Sequence, residues 1–185
     1  MYGYVKVGSA VPKLRVADCV YNKEEILKLV EAAAAKQVRV LSFPELSVTG
    51  YTCADLFFQT PLLHAAEQAI QEIAEATEAL NIFLLIGAPI AVDNQMFNCA
   101  VALYKGKLLG IVPKTHIPNY SEFYEERWFA SADDLLTEEI TYAGQNVPIG
   151  ADLIFAAADF PALKIGVEIC EDLWTAVPPS SHMAL

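Results

Sequence analysis

Two stretches of the chain repeat apolar residues every three or four positions, which is the spacing of a helix with one buried face. The first covers residues 23–37. Asn22 directly before it, with Glu25 three positions later, predicts an N-cap and a capping box. The second covers residues 61–80, and Thr60 before a proline predicts its N-cap and first helical position. We therefore predict two helices, each with an apolar face.

Apolar or alternating runs before, between and after these helices predict strands. These runs are residues 2–10, 38–43, 82–92, 96–104, 108–113, 152–160 and 163–170. Turn residues at 93–95 and 105–107 predict two hairpins. Residues 115–150 are aromatic and charged with little periodicity, which predicts irregular structure. The order of elements favours an α/β protein with a mixed sheet, covered by helices on at least one face.

Three candidate reactive side chains stand at the carboxyl ends of predicted strands. Glu45 and Lys114 follow two of them, and Cys170 closes a third. Sites in α/β sheets gather at these ends. Singly, the three residues are typical of a surface carboxylate, a solvated lysine and a small core thiol. Together they supply a base, a cation and a nucleophile for acyl transfer, and the set contains no metal site and requires no cofactor.

Composition narrows the classes of function. The chain has 185 residues, 55% of them apolar, which is enough for one domain with a core. A net charge of −11 argues against a nucleic-acid partner. No run approaches the ~20 apolar residues of a membrane span, and the start does not resemble a signal peptide, so we expect a cytoplasmic protein. The four cysteines form no CxxC pair, which predicts free thiols rather than a zinc or redox site.

Three segments resemble the catalytic blocks of the nitrilase superfamily: FPELSVTGY (43–51), VPKTHIPNYSEFYEERWF (112–129) and GVEICEDLW (166–174). They are most similar to the glutaminase domain of glutamine-dependent NAD synthetases. The resemblance implies a four-layer αββα sandwich, usually assembled from paired subunits. It also implies that Glu45 is the general base, Lys114 the catalytic lysine and Cys170 the nucleophile. In that family the side-chain amide of L-glutamine is attacked to give a thioester and ammonia, and water then releases glutamate.

The same resemblance implies substrate-binding residues around the triad: Tyr51, Tyr120, Phe123, Glu125 and Glu171. Glu125 is similar to a second glutamate that many members carry beside the lysine, and Glu126 is its rival for that place. Ordinary aromatic packing remains the alternative for Tyr120 and Phe123.

The chain departs from the family pattern at its end. It stops fifteen residues after Cys170, where nitrilase domains normally continue, so we expect a domain truncated before its last strands and helices. Exposed sheet edges would then favour a homo-oligomer or a destabilised fragment. The phosphate-binding SGGxDS loop of NAD synthetases does not occur in this sequence, so ATP and Mg are expected only in a fused synthetase domain.

These observations favour one function and leave others open. The leading hypothesis is a glutaminase domain that supplies ammonia for the ATP-dependent amidation of deamido-NAD to NAD. One alternative is a stand-alone nitrilase-type amidase acting on another small amide or nitrile. Another is a non-catalytic assembly domain. A thiol oxidoreductase is less favoured, because no second cysteine lies near Cys170 in the sequence.

Overall fold

The computed structural model describes residues 3–185. It contains three α-helices: α1 (Cys19–Ala35), α2 (Thr60–Ala76) and α3 (Pro179–Met183). Short 3₁₀ helices occupy Ala54–Phe58, Glu125–Arg127, Ala132–Asp134 and Cys170–Trp174. The strands are β1 (Val7–Ser9), β2 (Val40–Ser42), β3 (Phe83–Val92), β4 (Gln95–Tyr104), β5 (Lys107–Pro113), β6 (Glu139–Tyr142), β7 (Gln145–Pro148), β8 (Phe155–Ala156) and β9 (Lys164–Ile165).

The main sheet has five strands in the order β1-β2-β3-β4-β5. The first three strands run parallel, and β3, β4 and β5 form two successive antiparallel hairpins. This mixed α/β architecture is the one that the sequence predicts. The two hairpin turns are also confirmed, and their central residues Asp93, Asn94, Lys105 and Gly106 all have positive φ, as tight hairpin turns require.

The start of α1 corrects the sequence-based prediction. The N-cap is Asp18, whose Oδ1 accepts the backbone N–H of Tyr21 at 3.0 Å. Asn22 lies inside the helix and is fully buried. Its side chain accepts the backbone N–H of Arg15 and donates to the backbone oxygens of Arg15 and Val48. Asn22 therefore holds two loops against the helix instead of capping it.

The second helix is predicted correctly in place but not in its bounds. Gln59 is the N-cap, so Thr60 belongs to the helix itself. The helix ends at Ala76 rather than at residue 80. Directly after this end, the Thr77 hydroxyl donates to the Ile73 carbonyl at 2.8 Å. Leu80 lies beyond the helix but still packs on the core.

The predicted strands differ from the observed ones at both ends of the chain. The strand predicted over residues 2–10 is reduced to β1, and residue 2 lies outside the described residues. Residues 115–150, predicted to be irregular, contain the β6–β7 hairpin. The last two predicted strands shrink to the two-residue pair β8 and β9, so Cys170 lies beyond a strand rather than closing one.

The main sheet separates two apolar layers. On one face, α1 and α2 pack against alternate residues of β3 and β4, such as Ile86 and Val101. On the other face, Ala100 and Val112 pack against Val167 and Ile169, which follow β9. Asn98 precedes Ala100 by two positions in β4, so strand alternation places both on this second face. No helix within residues 3–185 combines the length and apolarity of a membrane span.

Candidate active site

The turn that carries Glu45 is held against β3. It follows β2 by two residues, and the amide of Phe43 donates to the Leu85 carbonyl at 2.9 Å. The amide of Val48 donates to the Gly87 carbonyl at 3.1 Å. Gly87 permits this approach, because a Cβ there would lie 2.6 Å from the Pro44 carbonyl oxygen. Glu45 is half-buried at the carboxyl end of the parallel strands.

Lys114 directly follows β5, and its side chain is 0% exposed. Its backbone amide donates to the Asn98 carbonyl at 2.8 Å, which extends the β4–β5 pairing by one residue. The ammonium donates to Glu45 Oε1 at 2.8 Å and to Glu125 Oε2 at 2.8 Å. A buried lysine of this kind is tolerated because it is paired and hydrogen-bonded. Lys114 thus joins two carboxylates from separate loops.

Two neighbouring glutamates have different surroundings. Glu125 begins the 3₁₀ helix Glu125–Arg127, and its side chain is 1% exposed. Its Oε1 accepts the Tyr51 hydroxyl at 2.7 Å. Glu126 is exposed and accepts from the Asn119 amide at 2.8 Å. The structure therefore brings Glu125, and not Glu126, to Lys114, and it joins Tyr51 to the same cluster.

The cluster has opposing effects on the pKa of Lys114. Burial on its own would lower the pKa, because it disfavours the charged form. The negative charge of Glu45 and the hydrogen bonds to both carboxylates outweigh burial, so the pKa of Lys114 is raised above its ordinary value. The ammonium is therefore charged throughout the neutral range. Burial and the bond to Glu125 raise the pKa of Tyr51, so its hydroxyl stays protonated as a donor.

Cys170 lies at the start of the 3₁₀ helix Cys170–Trp174 and is exposed. Its φ is 49°, a left-handed conformation that costs strain in a residue other than glycine. Partial desolvation and the charge of Glu45 raise the pKa of Cys170, and the charge of Lys114 opposes them. The resting thiol is consequently neutral at pH 7, beside a carboxylate that can accept its proton.

A cavity of about 280 Å³ connects Cys170 with the turn of Glu45. Its walls include Gly87, Ala100 and Ile169, which place backbone and small apolar side chains around the two polar groups. The cavity brings together the thiol and the carboxylate, and the buried ammonium of Lys114 hydrogen-bonds that same carboxylate. Such a set can carry out nucleophilic attack with proton transfer and stabilise a developing negative charge.

The remaining candidates form a cluster around Glu171, the residue that follows Cys170. The Tyr120 hydroxyl donates to the Glu171 carboxylate, 2.8 Å from Oε1 and 2.9 Å from Oε2. Both residues line a larger groove of about 1120 Å³. The ring of Phe123 packs edge-on against Tyr120, with 6.0 Å between centroids. Phe123 thus supports Tyr120 by aromatic packing. It is not one of the described residues that line the groove.

Two residues of the site were not anticipated from the sequence. Asn98 Nδ2 donates to Glu45 Oε1 at 2.5 Å. Asp172 is buried and accepts the backbone amides of Thr115, His116 and Ile169. The sequence offers one signal for each: Asn98 is a polar residue inside the apolar run of β4, and Asp172 is an acidic residue two positions after Cys170. Within residues 3–185, no group of His, Cys, Asp or Glu side chains is arranged to hold a metal ion.

Comparison with known proteins shows the family to which the chain belongs. The family model for carbon-nitrogen hydrolases matches residues 6–179. The chain belongs to the carbon-nitrogen hydrolase family. Among curated relatives of this hydrolase, the glutamine-dependent NAD(+) synthetase of Mycobacterium leprae is 38% identical over 183 residues, covering 99% of the chain. The synthetase of Rattus norvegicus is 32% identical and covers 94% of the chain.

Solved structures show the same fold. A glutamine-dependent NAD(+) synthetase from Cytophaga hutchinsonii matches 90% of the chain with a TM-score of 0.81 and 30% identity. An amidase from Nesterenkonia sp. matches 89% of the chain with a TM-score of 0.64 at 16% identity, which shows the fold alone. The nitrilase-like α/β fold implied by the sequence motifs is therefore confirmed. The hydrolase chain spans 27% of the length of the Mycobacterium leprae relative and 28% of the Cytophaga structure.

Proposed function

We propose that this carbon-nitrogen hydrolase cleaves the side-chain amide of L-glutamine through a thioester on Cys170. The observation that carries the proposal is the buried Lys114 ammonium, held between Glu45 and Glu125 beside the thiol. A cation in this position favours negative charge on sulfur and on the substrate oxygen during attack. The names of the relatives, which are glutamine-dependent synthetases, support glutamine as the substrate.

The proposed chemistry follows from the hydrogen bonds of Glu45. Both protein donors, Lys114 and Asn98, reach Oε1, so Oε2 is the oxygen proposed to face the thiol. As Sγ of Cys170 bonds to the amide carbon, Oε2 takes the thiol proton. The proton then passes to the leaving nitrogen, the carbon–nitrogen bond breaks, and ammonia departs. An ammonium has three donors, and two of those on Lys114 bind carboxylates, which leaves the third for the substrate oxygen.

Hydrolysis of the thioester completes the proposed cycle. Water loses a proton to Glu45 as its oxygen adds to the thioester carbon, and the carbon–sulfur bond breaks. Glutamate leaves, and Cys170 recovers its proton. We propose that Glu171, with Tyr120 donating to it, binds the α-ammonium of glutamine at the mouth of the site, because this carboxylate faces the groove. No cofactor is proposed for this reaction.

The wider role follows from what the chain resembles. We propose that the ammonia serves the ATP-dependent amidation of deamido-NAD to NAD in a fused synthetase domain that uses ATP and Mg. We further propose a homo-oligomer in the cytoplasm, where the free thiols Cys19, Cys53 and Cys99 would stay reduced. Nucleic acid and membrane are not proposed as partners, given the net charge of −11.

The proposal is tested by measuring glutamate release from glutamine. We expect Cys170→Ala to abolish release and Glu45→Gln to lower kcat by about 100-fold or more, the contribution of a general base. Glu125→Gln and Glu126→Gln form a matched pair, because Glu125 contacts Lys114 and its neighbour Glu126 does not. Glutamate release that survives in Cys170→Ala would contradict the thioester. Cleavage of small aliphatic amides or nitriles but not of glutamine would instead indicate a stand-alone amidase.

A further inference from the structure

We infer that Asn98 is a positioning residue for the base Glu45: it fixes the rotation of the carboxylate so that Oε2 faces the Cys170 thiol. The inference rests on the proposed function and adds to it a residue outside the three sequence motifs. It draws on three independent features of Asn98: its hydrogen bond to Glu45, its backbone link to Lys114, and an unpaired atom in its own side chain.

The first feature is the direction of the bond to Glu45. Nδ2 of Asn98 and Nζ of Lys114 both donate to Oε1, at 2.5 Å and 2.8 Å. Two donors on one oxygen stop the carboxylate from turning about its last bond. With Lys114 alone, the plane of the carboxylate could swing about the Cγ–Cδ bond, because a single point charge attracts an oxygen from many directions. Asn98 therefore fixes the plane of the carboxylate, and with it the direction in which the free oxygen points.

The second feature is the place of Asn98 in the sheet. It stands in β4 opposite Pro89 of β3, and its backbone carbonyl accepts the amide of Lys114 at 2.8 Å. One residue of a central strand thus sets the position of the lysine through its backbone and of the base through its side chain. Positions on strands are more precise than positions on loops, and Glu45 itself lies in a turn.

The third feature separates a functional role from a structural one. Asn98 is fully buried, and its Oδ1 has no hydrogen-bond partner among the described residues. An unpaired buried acceptor costs stability, so the side chain is poorly suited to a purely structural task. Asn22 provides the contrast. It is equally buried, but its side chain bonds the backbone groups of Arg15 and Val48 through both ends.

This contrast provides a matched pair of variants, Asn98→Leu and Asn22→Leu, each replacing a buried asparagine by an apolar side chain of similar size. We expect Asn98→Leu to keep or raise the Tm, because it removes the unpaired Oδ1. We expect kcat for glutamate release to fall by about 10- to 100-fold, the effect of a misplaced catalytic group, with KM for glutamine little changed. Asn22→Leu should lower the Tm and leave the activity of the remaining folded protein unchanged.

The pH profile of kcat/KM gives a readout that a structural role would not move. In Asn98→Leu the charged form of Glu45 loses one of its two donors, so the acidic limb of the profile should move to higher pH. Asn98→Asp, which keeps the shape but places a second carboxylate against Glu45, should move it further. Asn22→Leu should leave the limb in place.

The outcomes distinguish failure of the inference from failure of the proposed function. If Asn98→Leu keeps the wild-type kcat and the acidic limb of its pH profile stays in place, while Cys170→Ala is inactive, the role of Asn98 is overturned and the proposed function stands. A fall in both Tm and kcat like that of a structural residue, without a move of the limb, would also overturn it. Glutamate release that persists in Cys170→Ala, or is absent from the wild-type protein at its full natural length, would remove the proposed function and the inference with it.

Discussion

Asp172 accepts the backbone amide of His116 at 2.7 Å, and this contact joins the segment after Lys114 to the turn that carries Cys170. The same carboxylate accepts the amide of Ile169 at 3.0 Å through its other oxygen. The two reactive side chains come from segments 56 residues apart, and one buried carboxylate fixes their separation. Burial raises the pKa of Asp172, and the backbone donors oppose that rise by stabilising the charged form.

We predict that Asp172→Asn destabilises the protein and slows glutamate release. An amide has one acceptor oxygen, so it cannot accept from His116 and Ile169 at the same time and presents a donor to one of them. The loss should be about 1–3 kcal/mol, the cost of leaving a buried donor unpaired. Thermal unfolding measures the loss. Asp134→Asn, at an exposed position in the 3₁₀ helix Ala132–Asp134, is the control and should unfold like the wild-type protein.

We predict that Lys114→Met destabilises the protein by about 3 kcal/mol, because it leaves two carboxylates facing each other without their shared cation. The loss should shrink as the pH is lowered, since protonation of either Glu45 or Glu125 relieves the repulsion. Denaturant unfolding across the acidic range measures this dependence. Adding Glu45→Gln and Glu125→Gln to Lys114→Met should restore most of the stability. A loss that does not change with pH would indicate that lost packing, rather than charge, is the cause.

We predict opposite effects of Glu45 on the reactivity and on the turnover of Cys170. Because the charge of Glu45 helps to raise the pKa of Cys170, Glu45→Gln should lower that pKa and increase the thiolate fraction at slightly alkaline pH. Alkylation of Cys170 by iodoacetamide should then become faster, although glutamate release falls. Lys114→Met should slow alkylation, since Lys114 favours the thiolate.

The control for the alkylation experiment is Glu126→Gln. Replacing this exposed glutamate should leave the alkylation rate of Cys170 unchanged. Mass spectrometry of the modified peptide assigns the reaction to Cys170, the exposed cysteine among those described. Slower alkylation in Glu45→Gln would show that the carboxylate favours the thiolate, in conflict with the charge arrangement of the site.

The sequence predicts those parts of the fold that depend on local pattern. The strands β3, β4 and β5 match their predicted runs to within one residue, because continuous apolar character and tight turns at Asp93–Asn94 and Lys105–Gly106 define both ends. The prediction of Asn22 as an N-cap is wrong because its side chain reaches Val48, 26 residues away, and such distant contacts leave no local pattern. The extent of β8 and β9 depends on strand pairing, which the apolar runs around them do not specify.

The same distinction applies to the site. Glu45 and Lys114 follow strands whose ends are set by local sequence, Glu125 begins a short 3₁₀ helix, and the motifs mark all three residues. The only local sign of Asn98 is a polar residue in an apolar strand, and its role depends on a bond to Glu45 across 53 residues. The choice between Glu125 and Glu126 also depends on burial, since only one of two adjacent carboxylates faces inward at the start of a short helix.

We predict that Gly87→Ala disturbs the turn of Glu45 more than an equivalent change elsewhere in the sheet. A Cβ on Gly87 would lie 2.6 Å from the Pro44 carbonyl oxygen and 2.8 Å from the Glu45 carbonyl carbon, and backbone atoms cannot move aside cheaply. The expected loss is about 1–3 kcal/mol, as for overpacking elsewhere, with a fall in kcat because Glu45 moves away from Cys170. Gly8→Ala in β1 is the control, since its Cβ would meet a flexible Leu41 methyl group at 3.3 Å. Equal Tm and kcat in the two variants would show that the turn accommodates the added methyl group and that Gly87 does not determine the position of the base.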